Sequence, residues 1–139
     1  MGKKRVLIVE DEADTRLAIG EILKRFGYVP VEAADGAEGL TIAEGLLIHV
    51  ILLDVRMPGL DGFEVCRRLK QNPATAAIPV IFLTAVKDDS LNRLAFDAGG
   101  VACITKPFRT EALVAVIEAA IANAERRAKP KTEDGGSGH

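Results

Sequence analysis

With 139 residues, 48% apolar and 27% charged, the chain is sized for one domain and can bury roughly two thirds of the surface its unfolded form exposes. Its 18 basic and 20 acidic residues leave a formal charge of -2, which excludes a bulk field drawing the whole domain onto nucleic acid or an anionic membrane. No apolar run approaches the roughly 20 residues of a membrane-spanning helix, and the amino terminus runs directly into a short strand, so a cytoplasmic protein is expected.

Residues 5–9 read as a first strand, followed by the acidic run Glu10-Asp11-Glu12 with Asp14 just beyond. Acids here favour a helix start, because the first turn of a helix carries partial positive charge. Ile19, Ile22, Leu23 and Phe26 recur at helical spacing, and Gly27 is the permissive residue expected past a helix end. Residues 28–33 give a second strand, weakened by Pro30, and Asp35 with Glu38 forms a capping box for a helix to about Leu46. Gly39 and Gly45 weaken that helix.

The next strand is central. Four apolar residues, Val50-Ile51-Leu52-Leu53, lead straight into Asp54, and Pro58-Gly59 breaks the chain soon after. An uninterrupted apolar run this short fits a strand covered on both faces, the habit of parallel sheets. Asp61 with Glu64 repeats the capping-box pattern, and Phe63, Cys66 and Leu69 face inward until Asn72-Pro73 stops the helix. Residues 79–84 form a fourth strand that ends in Thr84. Asp88, Asp89 and Ser90 open a helix with Leu91, Leu94, Ala95 and Ala98 on its inner stripe, closed by Gly99-Gly100. A fifth strand, 101–105, ends in Lys106-Pro107. The last helix, from about Thr110, turns Leu113, Val116, Ile117, Ala120, Ile121 and Ala124 inward and becomes polar at Glu125-Arg126-Arg127. Cys66 and Cys103 have no CxxC and no histidine at ligand spacing, so both are expected to be plain buried thiols.

Strands and helices alternate throughout, which requires right-handed crossovers and a parallel sheet with helices on both faces. The expected fold is an open doubly wound α/β sandwich of five βα units. One domain is expected over residues 1–128, with 129–139 as a disordered tail or linker remnant. In such sheets ligands bind beyond the carboxyl ends of the strands, where Glu10-Asp11, Asp54, Thr84 and Lys106 all fall.

These residues, in this order, resemble the receiver domains of two-component response regulators over about residues 4–124. The motifs are Glu10-Asp11, the run Leu53-Asp54-Val55-Arg56-Met57-Pro58-Gly59-Leu60-Asp61-Gly62, Leu83-Thr84-Ala85 and Lys106-Pro107-Phe108. The resemblance implies a flavodoxin-like sheet of order 2-1-3-4-5. It also implies Asp54 as phosphoacceptor, Thr84 and Lys106 as phosphoryl-binding groups, and a cis peptide at Lys106-Pro107. For Mg²⁺ it implies Asp11, Asp54 and the Arg56 backbone carbonyl as ligands, with Glu10 acting through a water. The physical reading agrees: carboxylates gathered at a sheet edge repel by about 1 kcal/mol per pair at 4 Å in water and about 4 at an effective dielectric of 20. A hard cation that takes one or two carboxylates and phosphate oxygens relieves that repulsion.

The donor implied by the resemblance is a phosphohistidine on a histidine kinase or phosphotransfer protein. The implied output is a downstream protein or effector domain on the face of the fourth helix, fifth strand and fifth helix, with no direct contact to nucleic acid or membrane. The chain departs from the family at Cys103, where many receivers carry a switching Tyr or Phe three residues before the lysine. A thiol is too small to report that rotation, so coupling is expected to be weaker or carried by the Thr84 loop alone. Val86 lies where the family tunes hydrolysis.

Taken singly, each residue has a plainer reading: a helix-dipole acid cluster for Glu10 to Glu12, a solvated strand-end acid for Asp54, and structural roles for Thr84 and Lys106. Two other functions compete. The haloacid dehalogenase-type phosphatases also combine Asp, Thr and Lys, but they place a second Asp two residues past the nucleophile, where this chain has Arg56. A receiver-like docking module without chemistry has no need of Asp11, Asp54, Thr84 and Lys106 together.

Overall fold

The computed structural model describes residues 2–86 and 88–128, so the tail expected at 129–139 lies outside the described residues. Ten elements alternate as β1 (Arg5–Val9), α1 (Ala13–Arg25), β2 (Val29–Ala33), α2 (Gly36–Gly45), β3 (Val50–Asp54), α3 (Gly62–Gln71), β4 (Val80–Thr84), α4 (Asp89–Asp97), β5 (Ala102–Thr105) and α5 (Thr110–Ala128). All five strands are parallel, in the order β2-β1-β3-β4-β5, as expected.

Strand parity sorts the core into two layers. Leu7, Val9, Ile51, Leu53 and Phe82 point to the side covered by α2, α3 and α4, where they meet Ala43, Val65, Cys66, Leu69 and Ala95. Val6, Ile8, Val50, Leu52, Ile81 and Leu83 point to the other side and meet Ile19 and Leu23 of α1 with Leu113 and Ile117 of α5. Because alternate residues of a strand face opposite sides, a sheet clad on both sides needs apolar residues at every position. All five residues of β3 and of β4 are accordingly buried.

The helix starts follow the sequence in part. Asp35 accepts from the Glu38 N–H at 2.8 Å while Glu38 Oε1 accepts from the Ala34 N–H at 2.7 Å, a two-way cap. Asp61 accepts from the Glu64 N–H at 2.9 Å, but the Glu64 carboxylate turns instead to Arg67 and Arg68, so that box closes on one side only. Gly39, a poor helix residue by propensity, is required by packing: a Cβ there would lie 2.9 Å from Val9 Cγ2. Two expected inward residues are exposed. Phe26 is 48% exposed because α1 ends at Arg25, before the apolar stripe reaches it, and Leu94 is 48% exposed because Ala95 and the C-cap residue Ala98 form the buried stripe of α4, with Leu91 half-buried, and leave it at the edge.

At the sheet end remote from Asp54, His49 closes a reciprocal pair with Arg5. His49 N–H donates to the Arg5 carbonyl at 2.9 Å, and His49 Nδ1 accepts from the Arg5 N–H at 3.0 Å. Burial first, then the charges of Lys4 and Arg5, lower the imidazole pKa, opposed by Glu125. A histidine kept neutral in the folded state contributes stability that is complete above the unfolded value of about 6.5 and is lost as pH falls through the lower folded value. Urea unfolding at pH 7 and pH 5 should therefore show a larger loss for the wild type than for His49→Gln, which has nothing to titrate; equal losses would contradict this.

Candidate functional site

Parity also builds the site. Glu10 and Lys106, just beyond the ends of β1 and β5, and Asp54, the last residue of β3, continue the positions of Ile8, Ile104 and Leu52 that face α1 and α5. The three side chains meet. Lys106 Nζ donates to Glu10 Oε1 at 2.7 Å and to Asp54 Oδ2 at 3.3 Å. Glu10 is 1% exposed and Asp54 7%, so the ammonium offsets two carboxylates that have lost most of their water. The Glu12 N–H donates to Glu10 Oε2 at 3.1 Å, and the Arg56 N–H donates to Asp54 Oδ1 at 3.3 Å. Glu10 is thus more than a helix-dipole acid: one carboxylate oxygen accepts from the N-cap residue of α1, Glu12, and the other holds the Lys106 ammonium at the sheet edge.

Burial on its own would lower the pKa of the Lys106 ammonium, but the hydrogen bond to Glu10 and the charge of Asp54 outweigh it and leave the pKa raised. A lysine raised in the folded state contributes stability that is complete below its unfolded value of about 10.4 and is lost only as pH climbs through the higher folded value. The contact therefore persists across the neutral range.

Asp11 is exposed above this pair, and Glu10, Asp11 and Asp54 each offer a carboxylate oxygen within 4.8 Å of the others. An all-oxygen, mostly anionic donor set at a solvent-facing edge fits a hard divalent cation such as Mg²⁺. Thr84, 3% exposed, ends β4 on the opposite parity, and its hydroxyl oxygen accepts from the Val86 N–H at 3.1 Å. Its own carbonyl accepts from the Lys106 N–H at 2.6 Å, which ties the ends of β4 and β5 together. The Lys106-Pro107 peptide is cis. Cys103 is half-buried opposite Phe82, beside a cavity of about 170 Å³ lined by Asn92, Ala95, Phe96 and Gly100 among others. Burial raises its thiol pKa, and Cys66 is pushed up to about 11, so both remain free, protonated thiols at neutral pH.

Two residues shape the site without having stood out. Gly62 packs under the end of β3, where a Cβ would lie 2.3 Å from the Asp54 carbonyl oxygen and 3.0 Å from Val55 Cα. Its place in the strand-end motif was visible, but the close backbone approach was not. Arg16 donates through Nη1 to the Glu10 carbonyl at 2.6 Å and through Nε to Glu32 Oε1 at 3.1 Å. No sequence signal separates it from other basic residues on α1.

With this geometry in hand, the comparisons are specific. The sequence pattern that defines the response regulator receiver domain matches residues 6–118. The chain is 35% identical over 122 residues to RpaA of Synechocystis sp., named a DNA-binding dual master transcriptional regulator, covering 88% of this chain and 51% of that protein. It is 40% identical over 104 residues to the response regulator PleD of Caulobacter vibrioides, covering 74% of this chain and 23% of PleD. The chain therefore spans about half, or less, of the length of these relatives. Among solved structures, the chemotaxis protein CheY4 of Vibrio cholerae superposes with a TM-score of 0.82 at 28% identity, covering 86% of this chain and 99% of that one. The receiver domain of the sensor histidine kinase PA1611 from Pseudomonas aeruginosa superposes with a TM-score of 0.81 at 28% identity, covering 87% and 99%, and carries a magnesium ion in its active-site cleft.

The packing at Gly62 gives a direct test of the frame. Gly62→Ala should destabilise by about 1–3 kcal/mol through overpacking against the Asp54 backbone. Gly45→Ala, whose added methyl meets nothing within 4 Å, should be neutral or slightly stabilising. Chemical denaturation of the pair checks the contrast, and equal midpoints would contradict it.

Proposed function

The chain belongs to the response regulator receiver family, whose members are phosphoacceptors in phosphorelay signalling rather than enzymes in the usual sense, and we propose that Asp54 is its phosphoacceptor. The observation that carries this reading is the Lys106 ammonium held between buried Glu10 and Asp54 at the strand ends. An Asp54 carboxylate oxygen attacks the phosphorus of a phosphohistidine on a histidine kinase or phosphotransfer protein. The P–N bond breaks, the histidine leaves with the electron pair, and an acyl phosphate forms. Lys106 Nζ then moves from the carboxylates to a phosphoryl oxygen, and the Thr84 hydroxyl turns from the Val86 backbone to another.

Mg²⁺, when bound, supplies charge neutralisation between Asp54 and the incoming phosphoryl group. Asp11, Asp54 and the Arg56 carbonyl would hold it directly. Glu10 would act through a water, since both of its carboxylate oxygens are already engaged by Lys106 and the Glu12 N–H. These groups are the chain's own, so the receiver assists its own phosphorylation and later hydrolysis.

Residues 1–128 are the receiver unit in this reading, in a cytoplasmic protein. The output face is α4, β5 and α5, where Phe96, 76% exposed, and Val101 line a groove of about 660 Å³. A downstream protein or effector domain docks there, and neither nucleic acid nor membrane is proposed as a direct partner. Because Cys103 offers no aromatic ring to fill the adjoining cavity, the Thr84 loop carries most of the signal.

Incubation with Mg²⁺ and acetyl phosphate should give a retained mass gain of one phosphoryl group that is absent in Asp54→Asn. Turnover with no retained adduct would indicate a phosphatase, and no reaction would indicate a docking module. Loaded with beryllofluoride, the protein should show large amide shifts beside Thr84 and small ones along α4 and α5; shifts of equal size throughout would defeat the proposed role of Cys103.

A further inference from the structure

The geometry points to Arg16 as a positioning residue for the acidic turn that would hold the divalent cation, an inference that rests on the phosphoacceptor reading above. Arg16 sits in the first turn of α1 with its side chain 17% exposed. Its two N–H contacts diverge: one reaches back to the Glu10 carbonyl at 2.6 Å, the other across to Glu32 of β2 at 3.1 Å. A planar guanidinium can hold both at fixed angles, whereas a lysine ammonium on its flexible stem lacks that fork. The β1–α1 turn is thereby braced against a neighbouring strand.

Glu10 is restrained at four points: its N–H by the Ala33 carbonyl, its carbonyl by Arg16, and its two carboxylate oxygens by Lys106 and the Glu12 N–H. The Lys106 contact is the one that phosphorylation draws away. The Ala33 bond continues the strand pairing, and the Glu12 bond is internal to the turn. Arg16 is then the side chain that keeps Glu10, and with it the neighbouring Asp11, in register with Asp54 after the ammonium has turned to the phosphoryl group.

A role through charge and a role through geometry have opposite signs. A guanidinium acting only by its charge repels a divalent cation, so removing it would tighten Mg²⁺ binding. One acting by its hydrogen bonds orients the ligand turn, so removing it weakens binding.

Calorimetric Mg²⁺ titration of the full chain, with melting in EDTA as the control for fold, separates the two. Arg16→Met and Arg16→Lys should each weaken Mg²⁺ binding about tenfold. The half-saturating Mg²⁺ for acetyl phosphate uptake should rise by a similar factor, while the rate at saturating Mg²⁺ changes little. Unchanged or tighter Mg²⁺ binding in Arg16→Met, or wild-type affinity in Arg16→Lys, overturns the positioning role and leaves the phosphoacceptor reading standing. A wild-type chain that does not bind Mg²⁺ at all overturns that reading and this inference together.

Discussion

The structure turns on a single ammonium placed between two carboxylates that have almost no water of their own. Glu10 and Asp54 come from adjacent strands, and without Lys106 their charges would face each other in a medium where repulsion is several times stronger than in water. The lysine removes that penalty in the resting protein. It also makes the arrangement convertible, because an ammonium on a flexible stem can follow charge from a carboxylate to a phosphoryl oxygen without moving the backbone that carries it.

Parity divides the labour. Glu10, Asp54 and Lys106 share the side of the sheet that faces α1 and α5, while Thr84 and Cys103 share the side that faces α2, α3 and α4. The charge cluster is therefore separated by the sheet itself from the layer where α4 rests on β5. The bond from the Lys106 N–H to the Thr84 carbonyl joins the two sides at 2.6 Å. In the proposed phosphoacceptor, a change on one side would pass to the other through this strand-end contact and the Thr84–Val86 turn, because the dense side chains of the packed core resist small shifts.

Fold class and the convergence of Glu10, Asp11, Asp54 and Lys106 were legible because they depend on periodicity and on residue type at strand ends, both written locally in the chain. The cis Lys106-Pro107 peptide and the order 2-1-3-4-5 were legible only through the family resemblance, since no local pattern dictates them. Three-dimensional proximity escaped. Arg16 reads as one more surface charge until β2 brings Glu32 beside it, and Gly39 reads as a helix weakness until the Val9 side chain is seen against it. Phe26 and Leu94 kept helical spacing but lost their cover, one to the end of α1 and the other to the narrow buried stripe of α4.

The central claim is that one acid at the end of β3 exchanges a lysine for a phosphoryl group. A crystal structure of the chain grown with Mg²⁺ and beryllofluoride tests it most directly. The account predicts density continuous with the Asp54 carboxylate, a cation between Asp11 and Asp54, and Lys106 Nζ shifted from Glu10 onto a fluoride. A bare Asp54 with Lys106 still paired to Glu10 under saturating reagent would contradict it.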